Sequence, residues 1–195
     1  FAGTAIVDVN ATDVVDQMKR LAAQRVRAFR IYPDLAKQQP STWLQPEGYE
    51  TMFATGAKLN TAMSCLIGPD SLPELDRMCT KYPDTPVIID HLCRIGITGK
   101  IEPKDVDALC RMNRHKRIMI KVGAFYALGR KQWPHDDLAP MIQRVIEAFG
   151  PHRCMWETDS PFQVVNGTYA ASVAVIRDRC DFLSPSDKIQ ILRGT

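Results

Sequence analysis

The sequence predicts an α/β protein in which a parallel sheet is covered by helices. Short apolar segments rich in Val, Ile and Ala alternate with longer segments whose apolar residues recur at three- and four-residue intervals. The first pattern is typical of buried strands and the second of amphipathic helices. Their strict alternation along the chain is that of repeated β-α units, so we expect a parallel sheet with helices outside it.

Six strands and seven helices follow from this pattern. The strands are expected at residues 5–9, 26–31, 59–66, 86–91, 117–123 and at the start of 153–162. The helices are expected to begin at Asn10-Ala11-Thr12, Pro46, a capping box at Ser71 to Glu74, Pro103, Asp136 or Asp137, Thr168, and a cap at Ser184 to Asp187. Gly56, Gly150 and Gly194 are expected to end the second, fifth and last of them.

The composition bounds the function classes. The chain has 195 residues, of which 45% are apolar and 24% charged, enough for one domain with a sizeable core. A net charge of +3 is too small to indicate nucleic-acid binding, and no apolar run has the length of a membrane span. Residues 1–4 contain neither a signal peptide nor an initiator Met, so we expect the chain to begin within a longer protein.

The six cysteines are scattered, without a CxxC pair or zinc-ligand spacing. Several lie on predicted apolar faces, where a free cysteine behaves as a small hydrophobic residue. We therefore expect reduced thiols in a cytoplasmic protein. A disulfide framework is the alternative, less expected at this chain length.

Charged side chains are concentrated where predicted strands end. The longer loops follow strands, and in a parallel α/β protein these loops lie at the carboxyl edge of the sheet, where sites form in barrels and in open sheets. A cation, a histidine and carboxylates at one edge indicate a functional site, and a closed network of ion pairs is the alternative. These strand-end residues are Arg30, Asp90, His91, Lys121, Glu157 and Asp159.

Each of these residues also has a simpler interpretation. Asp159 is expected to be catalytic, although it could cap the Ser-Pro turn that follows it. His91 is expected in the site, although it could be a core histidine bonded to a carbonyl. Lys121 could bind an anion or only form an ion pair, and Glu157 could be a second acid or the partner of Lys121. Asp90 is expected to be structural, since alternation along the strand points it away from His91.

Arg30 and Tyr126 complete the set of expected site residues. The planar guanidinium of Arg30 suits a substrate carboxylate, and we assign it to substrate binding. Tyr126 follows the fifth predicted strand and is assigned to substrate binding too, with packing of its own loop as the alternative.

With these residues placed, the chain resembles the amidohydrolase superfamily, in the branch called amidohydrolase-related or amidohydrolase 2, which includes lactonases and decarboxylases. Residues 26–31, 87–92, 119–122 and 153–162 are similar to the fourth, sixth, seventh and eighth strands of that family. The resemblance implies a TIM-like (β/α)8 barrel, in which roughly the first two strands are absent from this chain. Residues 1–195 would then be a single, incomplete barrel domain.

The resemblance also implies an activity. The expected function is hydrolysis of a small carboxylate-bearing ester, lactone or amide, with Asp159 as general base or metal ligand and His91 orienting or activating the substrate. Arg30 and Lys121 would bind substrate anions. Decarboxylation of an unsaturated acid, or small-anion binding without turnover, are the alternatives. The expected partner is a small anionic molecule, without nucleic acid or membrane, and a homo-oligomer is left open.

Three departures from the family pattern bear on metal binding. The His-x-His of the family's first strand is absent, and the segment at residues 61–65 has Met63 or Ser64 where a metal-binding histidine is usual. Neither is a good ligand for a hard or borderline divalent ion. Glu157 also stands where glycine is common. A zinc-like ion is therefore allowed by this sequence but not required.

Overall fold

The computed structural model describes residues 2–33 and 38–194. They form two compact units, the first made of residues up to 89 together with 114–118, the second of residues 90–113 and those from 119 onward. In both units parallel strands alternate with helices, as the sequence predicts. No helix in this part of the chain is long and apolar enough to cross a bilayer.

The first unit holds four parallel strands that pair in chain order. Ala28 lies opposite Ala62, and Met63 lies opposite Val87, so the second, third and fourth strands pair in a regular register. The strands are β1 Gly3–Ala5, β2 Val26–Ile31, β3 Ala62–Cys65 and β4 Val87–Ile89, and the helices are α1 Val14–Ala23, α2 Glu47–Leu59 and α3 Leu72–Lys81.

The glycine predicted to end α2 lies inside that helix. α2 continues to Leu59 and ends at Asn60, whose φ of 50° is left-handed. A Cβ on Gly56 would lie 2.8 Å from Met63 Cε and 2.9 Å from the Thr61 carbonyl oxygen. Position 56 therefore needs a residue without a side chain because α2 packs closely on β3, and not because the backbone turns there.

Further predictions in this unit are wrong in detail. The helix expected to begin at Asn10-Ala11-Thr12 begins at Val14, and the residue at its N-cap is Asp13, which makes no side-chain cap. The first strand ends at Ala5 and does not run to residue 9, because Asp8 forms a turn: its side chain accepts from the Asn10 N–H at 2.9 Å and its carbonyl accepts from the Ala11 N–H. Ser71 makes no side-chain cap for α3, because it ends a short 3-10 turn and already has a helical backbone.

The second unit holds the last strand pair. Strands β5 and β6 are parallel, with Ile120 opposite Cys154 and Gly123 opposite Glu157. Ser184 forms the predicted capping box with Asp187, and Gly150 ends α5 as predicted. The elements are β5 Ile118–Gly123, β6 Cys154–Glu157, α4 Pro103–Arg111, α5 Ala139–Phe149, α6 Phe162–Asn166, α7 Tyr169–Arg179 and α8 Pro185–Ile189.

Amphipathic helices cover this strand pair. Leu109 of α4 and Ile142 and Val145 of α5 are fully buried, as are Ile120 and Val122 of β5. Such burial stabilises each side chain by about 1.5–3 kcal/mol relative to exposure. The loops after the strands are thus attached to packed elements, which limits how far their side chains can move.

Candidate active site

Five of the six expected site residues lie in the second unit. Glu157 is the last residue of β6 and Asp159 follows it by two residues. Lys121 lies within β5, and Tyr126 lies in the short 3-10 turn Phe125–Ala127 that follows β5. His91 opens the turn after Asp90. Their positions after or near strand ends agree with the expectation that functional residues lie at the carboxyl ends of parallel strands.

His91 and Glu157 form a close pair. The Nδ1–H of His91 donates to Oε1 of Glu157, and the two side chains are only 10% and 14% exposed. Burial by itself would lower the pKa of His91. The hydrogen bond to Glu157 and the charges of Glu157, Asp159 and Asp90 together outweigh burial and raise that pKa. The pair therefore favours the imidazolium form of His91.

Asp159 is held on its other side by Tyr126. The Tyr126 hydroxyl donates to Oδ2 of Asp159 at 2.6 Å, while Oδ1 lies 3.7 Å from Nε2 of His91. Burial raises the pKa of Tyr126, and the hydrogen bond to Asp159 raises it further, so the phenol stays a donor. Oδ1 of Asp159 and Nε2 of His91 thus lie side by side, with their partners Tyr126 and Glu157 on other atoms of the two groups; the space next to these two atoms is named the reactive gap below.

Lys121 is engaged by two carboxylates. Its Nζ lies 2.7 Å from Oδ1 of Asp90, which is completely buried, and 3.9 Å from Oε2 of Glu157. A buried carboxylate is costly unless a charge pairs with it, and Lys121 fills that role for Asp90. Ion pairing was one of the two interpretations left open for Lys121. Its binding of a substrate anion stays a prediction.

The backbone is strained at both residues of the reactive gap. His91, Leu92, Cys93 and Arg94 have φ of 54°, 51°, 56° and 55°, and Asp159 has φ of 57°. None of them is glycine, and a left-handed conformation costs an L-residue about 1–2 kcal/mol. Strain of this kind is concentrated at functional sites, where surrounding structure holds it in place. Nothing in the sequence, which has no glycine at these positions, indicated it.

A glycine permits the approach of Glu157. Gly123 lies opposite Glu157 in the β5–β6 register, and a Cβ at this position would lie 2.3 Å from the Glu157 carbonyl oxygen and 2.5 Å from its Cγ. Any larger residue at 123 would displace Glu157. The position of the carboxylate that binds His91 therefore depends on the absence of a side chain on the neighbouring strand.

Arg30 belongs to the first unit, in β2, where it lies opposite Ser64 of β3. Its assignment to substrate binding stays a prediction. The hydrogen bond of Tyr126 to Asp159 was not predicted from the sequence. There, Tyr126 is assigned to substrate binding, with packing of its own loop as the alternative. The two residues are 33 positions apart, and no local pattern links them.

The described side chains near Asp159 differ from a metal-binding cluster. Within residues 2–33 and 38–194, no three His, Cys, Asp or Glu side chains are grouped so that they could hold one. In addition, Nδ1 of His91 is bound by Glu157, and Oδ2 of Asp159 by Tyr126. The described side chains therefore do not by themselves make a metal centre, and Asp159 as a metal ligand stays a prediction.

Comparison with known sequences identifies relatives. The family model described as amidohydrolase matches residues 1–195. The L-fucono-1,5-lactonase of Burkholderia ambifaria is 27% identical over 197 residues, which cover 96% of this chain and 66% of the lactonase. The D-galactarolactone isomerase of Agrobacterium fabrum is 28% identical over 101 residues, which cover 52% of this chain and 32% of the isomerase. The chain thus spans less than two thirds of either relative.

Solved structures show the same fold. An amidohydrolase from Burkholderia multivorans with bound zinc superposes with a TM-score of 0.84 at 14% identity, covering all of this chain and 71% of that one. A probable 2-pyrone-4,6-dicarboxylic acid hydrolase from Acinetobacter baumannii with citric acid bound gives a TM-score of 0.81 at 21% identity, covering 99% and 70%. These similarities confirm the predicted fold class, the β/α fold of amidohydrolases.

Proposed function

This chain belongs to the amidohydrolase family, and from that premise we propose that it supplies the catalytic carboxylate and imidazole of a hydrolase for small lactones. One observation carries the proposal. Oδ1 of Asp159 and Nε2 of His91 lie 3.7 Å apart. The other oxygen of Asp159 accepts from Tyr126, and the other ring nitrogen of His91 donates to Glu157. The similarity to a protein named L-fucono-1,5-lactonase supports a lactone as the reactant.

Asp159 acts as general base in the first step. A water molecule in the reactive gap gives a proton to Oδ1 of Asp159 while its oxygen attacks the lactone carbonyl carbon. The carbonyl oxygen becomes an oxyanion and accepts a hydrogen bond from Nε2–H of His91. Glu157 and the neighbouring carboxylates raise the pKa of His91, which favours the ring form with protons on both nitrogens that this donation needs.

The second step opens the ring. The oxyanion of the tetrahedral intermediate returns its electron pair to the carbonyl, and the bond between the carbonyl carbon and the ring oxygen breaks. The leaving alkoxide takes the proton held by Asp159. The product is an open-chain hydroxy acid, and Asp159 is again a carboxylate. Tyr126 donates to Oδ2 of Asp159 throughout and so keeps Oδ1 directed at the gap.

The reactant we propose is a small ester, lactone or amide that bears a carboxylate. Arg30 and Lys121 are the proposed contacts for that carboxylate, because a guanidinium and an ammonium both bind oxyanions. The A. baumannii structure, with citric acid bound, is consistent with an anion site in this fold. A zinc-like ion is not needed for the two steps above, which use only Asp159, His91 and water.

A cytoplasmic location is part of the proposal. None of the six cysteines forms a disulfide, and five of them are buried. Cysteines without disulfides are typical of a reducing compartment.

A substrate panel tests the proposal. The full-length protein is mixed with aldonolactones, lactones bearing a carboxylate, and open-chain esters and amides of the same acids, and proton release is followed with a pH indicator. We expect lactones to be turned over, with the carboxylate-bearing ones preferred. Absence of turnover for every lactone, under conditions where the protein remains folded, would overturn the proposal.

Two other outcomes identify the alternatives. Release of CO2 from an unsaturated carboxylic acid, without lactone opening, would replace the hydrolase with a decarboxylase. Calorimetric binding of a dicarboxylate without any turnover would indicate an anion-binding protein. Either result would contradict lactone hydrolysis as the function.

A further inference from the structure

Glu157 has no step of its own in the reaction proposed above. Its carboxylate does not border the reactive gap directly, because Oε1 accepts from Nδ1–H of His91 and Oε2 faces Lys121 at 3.9 Å. It is nevertheless one of the least exposed carboxylates of the second unit, at 14%. Burying a carboxylate is costly, so its position calls for a physical reason.

We propose that Glu157 is a positioning residue: it holds the imidazole of His91 through Nδ1 and thereby directs Nε2 into the reactive gap. This inference rests on the lactonase proposal for its kinetic consequence, but not for its structural one. The two ring nitrogens of a histidine are chemically distinct, and the hydrogen bond made by one decides what the other presents.

Glu157 is itself held in place on two sides. Lys121, whose Nζ binds the fully buried Asp90 at 2.7 Å, places a positive charge beside Oε2 and leaves Oε1 for the imidazole. On the strand side, Gly123 lets the backbone of Glu157 approach β5 more closely than any side chain would allow. A series of contacts therefore runs from the fully buried Asp90 through Lys121 and Glu157 to His91, which borders the reactive gap.

The backbone of His91 supports the same conclusion. Its φ of 54° belongs to a run of four residues in the left-handed conformation. This backbone conformation is strained, so other contacts must stabilise it. A carboxylate on the ring stabilises this conformation when the fold is complete. Without it, no hydrogen bond to Nδ1 distinguishes the two ring orientations that differ by a half-turn about χ2, and these orientations present different nitrogens to Asp159.

Glu157→Ala removes the contact, and Glu157→Gln keeps an oxygen that can accept from Nδ1–H. In the full-length protein we expect Glu157→Ala to lower kcat by about 10- to 100-fold, because displacement of a reacting group by about 1 Å has a cost of that size. KM should change far less than kcat. Glu157→Gln should recover part of the loss. Glu147→Ala, which removes an exposed carboxylate on α5 that accepts from Gln143, serves as the matched control and should leave kcat unchanged.

The tautomer of His91 is measured separately by NMR of histidine labelled with ¹⁵N. The sequence has four histidines, so comparison with His91→Asn assigns the signal. At alkaline pH, where the ring is neutral, we expect the proton on Nδ1 in the wild type and in Glu157→Gln, and mainly on Nε2 in Glu157→Ala.

The two readouts separate the two proposals. An unchanged His91 tautomer in Glu157→Ala overturns the positioning role whatever the substrate. Equal kcat for wild type and Glu157→Ala also overturns it, while leaving lactone hydrolysis in place. A tautomer change in a protein that hydrolyses no lactone would instead retain the positioning role and remove the proposed function.

Discussion

At His91, burial and charge act in opposite directions. The ring is almost fully buried, which favours its neutral form, yet it faces Glu157, Asp159 and Asp90, which favour the charged form, and the charges prevail. An imidazole with a raised pKa that also lies on strained backbone is expensive to maintain. A role in binding or chemistry explains such an arrangement better than a role in packing.

The pH dependence of stability follows from that residue. Because the pKa of His91 in the folded protein is raised above 6.5, its pairing stabilises the fold fully below about pH 6.5, and this contribution is lost as the pH rises through the folded pKa. We expect the free energy of unfolding of the wild type to exceed that of Glu157→Gln by more at about pH 6 than at about pH 9. Urea unfolding of both proteins measures this. A difference that is constant, or larger at the higher pH, would contradict it.

Removal of the Tyr126 hydroxyl tests the other side of the gap. A hydrogen bond to a charged group contributes about 1.5–3 kcal/mol, which corresponds to a change in rate of tenfold or more. We therefore expect Tyr126→Phe to lower kcat by about tenfold or more, since Oδ2 of Asp159 loses the 2.6 Å contact that orients the base. Tyr169→Phe, at a residue that is 58% exposed, is the control. Equal kcat values for the two variants would count against the assignment.

At the scale of the elements, local patterns were sufficient where the relevant contacts are local. The bounds of β2 agree with the prediction at both ends, and Gly150 ends α5 because its φ of 78° is one that glycine adopts freely. Gly56 shows where such reasoning stops. The same residue type looks like a helix end in the sequence, whereas its real function is to let α2 pack on β3, and that depends on residues outside the helix.

The same distinction applies to the site. The rule that sites form at the carboxyl ends of strands brought His91, Lys121 and Glu157 into consideration, and the structure places them together. Their pairing could not be predicted, since His91 and Glu157 are separated by 66 positions. Which of the carboxylates Glu157, Asp159 and Asp90 accepts from the His91 ring depends on distances that only the folded structure gives. The left-handed turn at His91 has no sequence marker either.

The contact between β5 and β6 at Gly123 gives a test at this scale. Gly123→Ala places a Cβ within van der Waals overlap of Glu157, and overpacking of this kind costs about 1–3 kcal/mol. We expect that loss in urea unfolding, together with a lower kcat. Gly68→Ala is the matched variant, since a Cβ there would meet nothing within 4 Å, and its effect should stay within about 0.5 kcal/mol. Equal stability of the two variants would show that β5 and β6 are not so close.

At the scale of the whole molecule, the six cysteines report on folding. Five are buried, and burial raises the pKa of Cys79 and of Cys154 to about 12, so their reactive thiolate form is scarce. Cys110 is the partly exposed one. We expect a thiol reagent to modify about one cysteine in the native protein and all six in denaturant. Cys110→Ser should remove the native reaction. Rapid modification of several thiols in the native protein would contradict the packing described.

The two compact units contribute differently to the proposed chemistry. The first contributes Arg30 and a set of buried strands, and the second contains every residue of the reactive gap and its supports. Membership of the amidohydrolase family accounts for the fold, while the chemistry depends on two side chains of the second unit. In the proposed mechanism, the decisive step is therefore the activation of water by Asp159 for attack on a lactone.

Turnover by Asp159→Asn tests whether this carboxylate is the base. An amide at this position can still accept from Tyr126 but cannot take a proton from water, so the loss isolates the base. We expect kcat of the full-length protein on its best lactone to fall by at least about 100-fold. Asp178→Asn, an exposed carboxylate paired with Arg177, should be unaffected. If Asp159→Asn keeps kcat within about threefold of the wild type while remaining folded, Asp159 is not the base and the proposed mechanism is wrong.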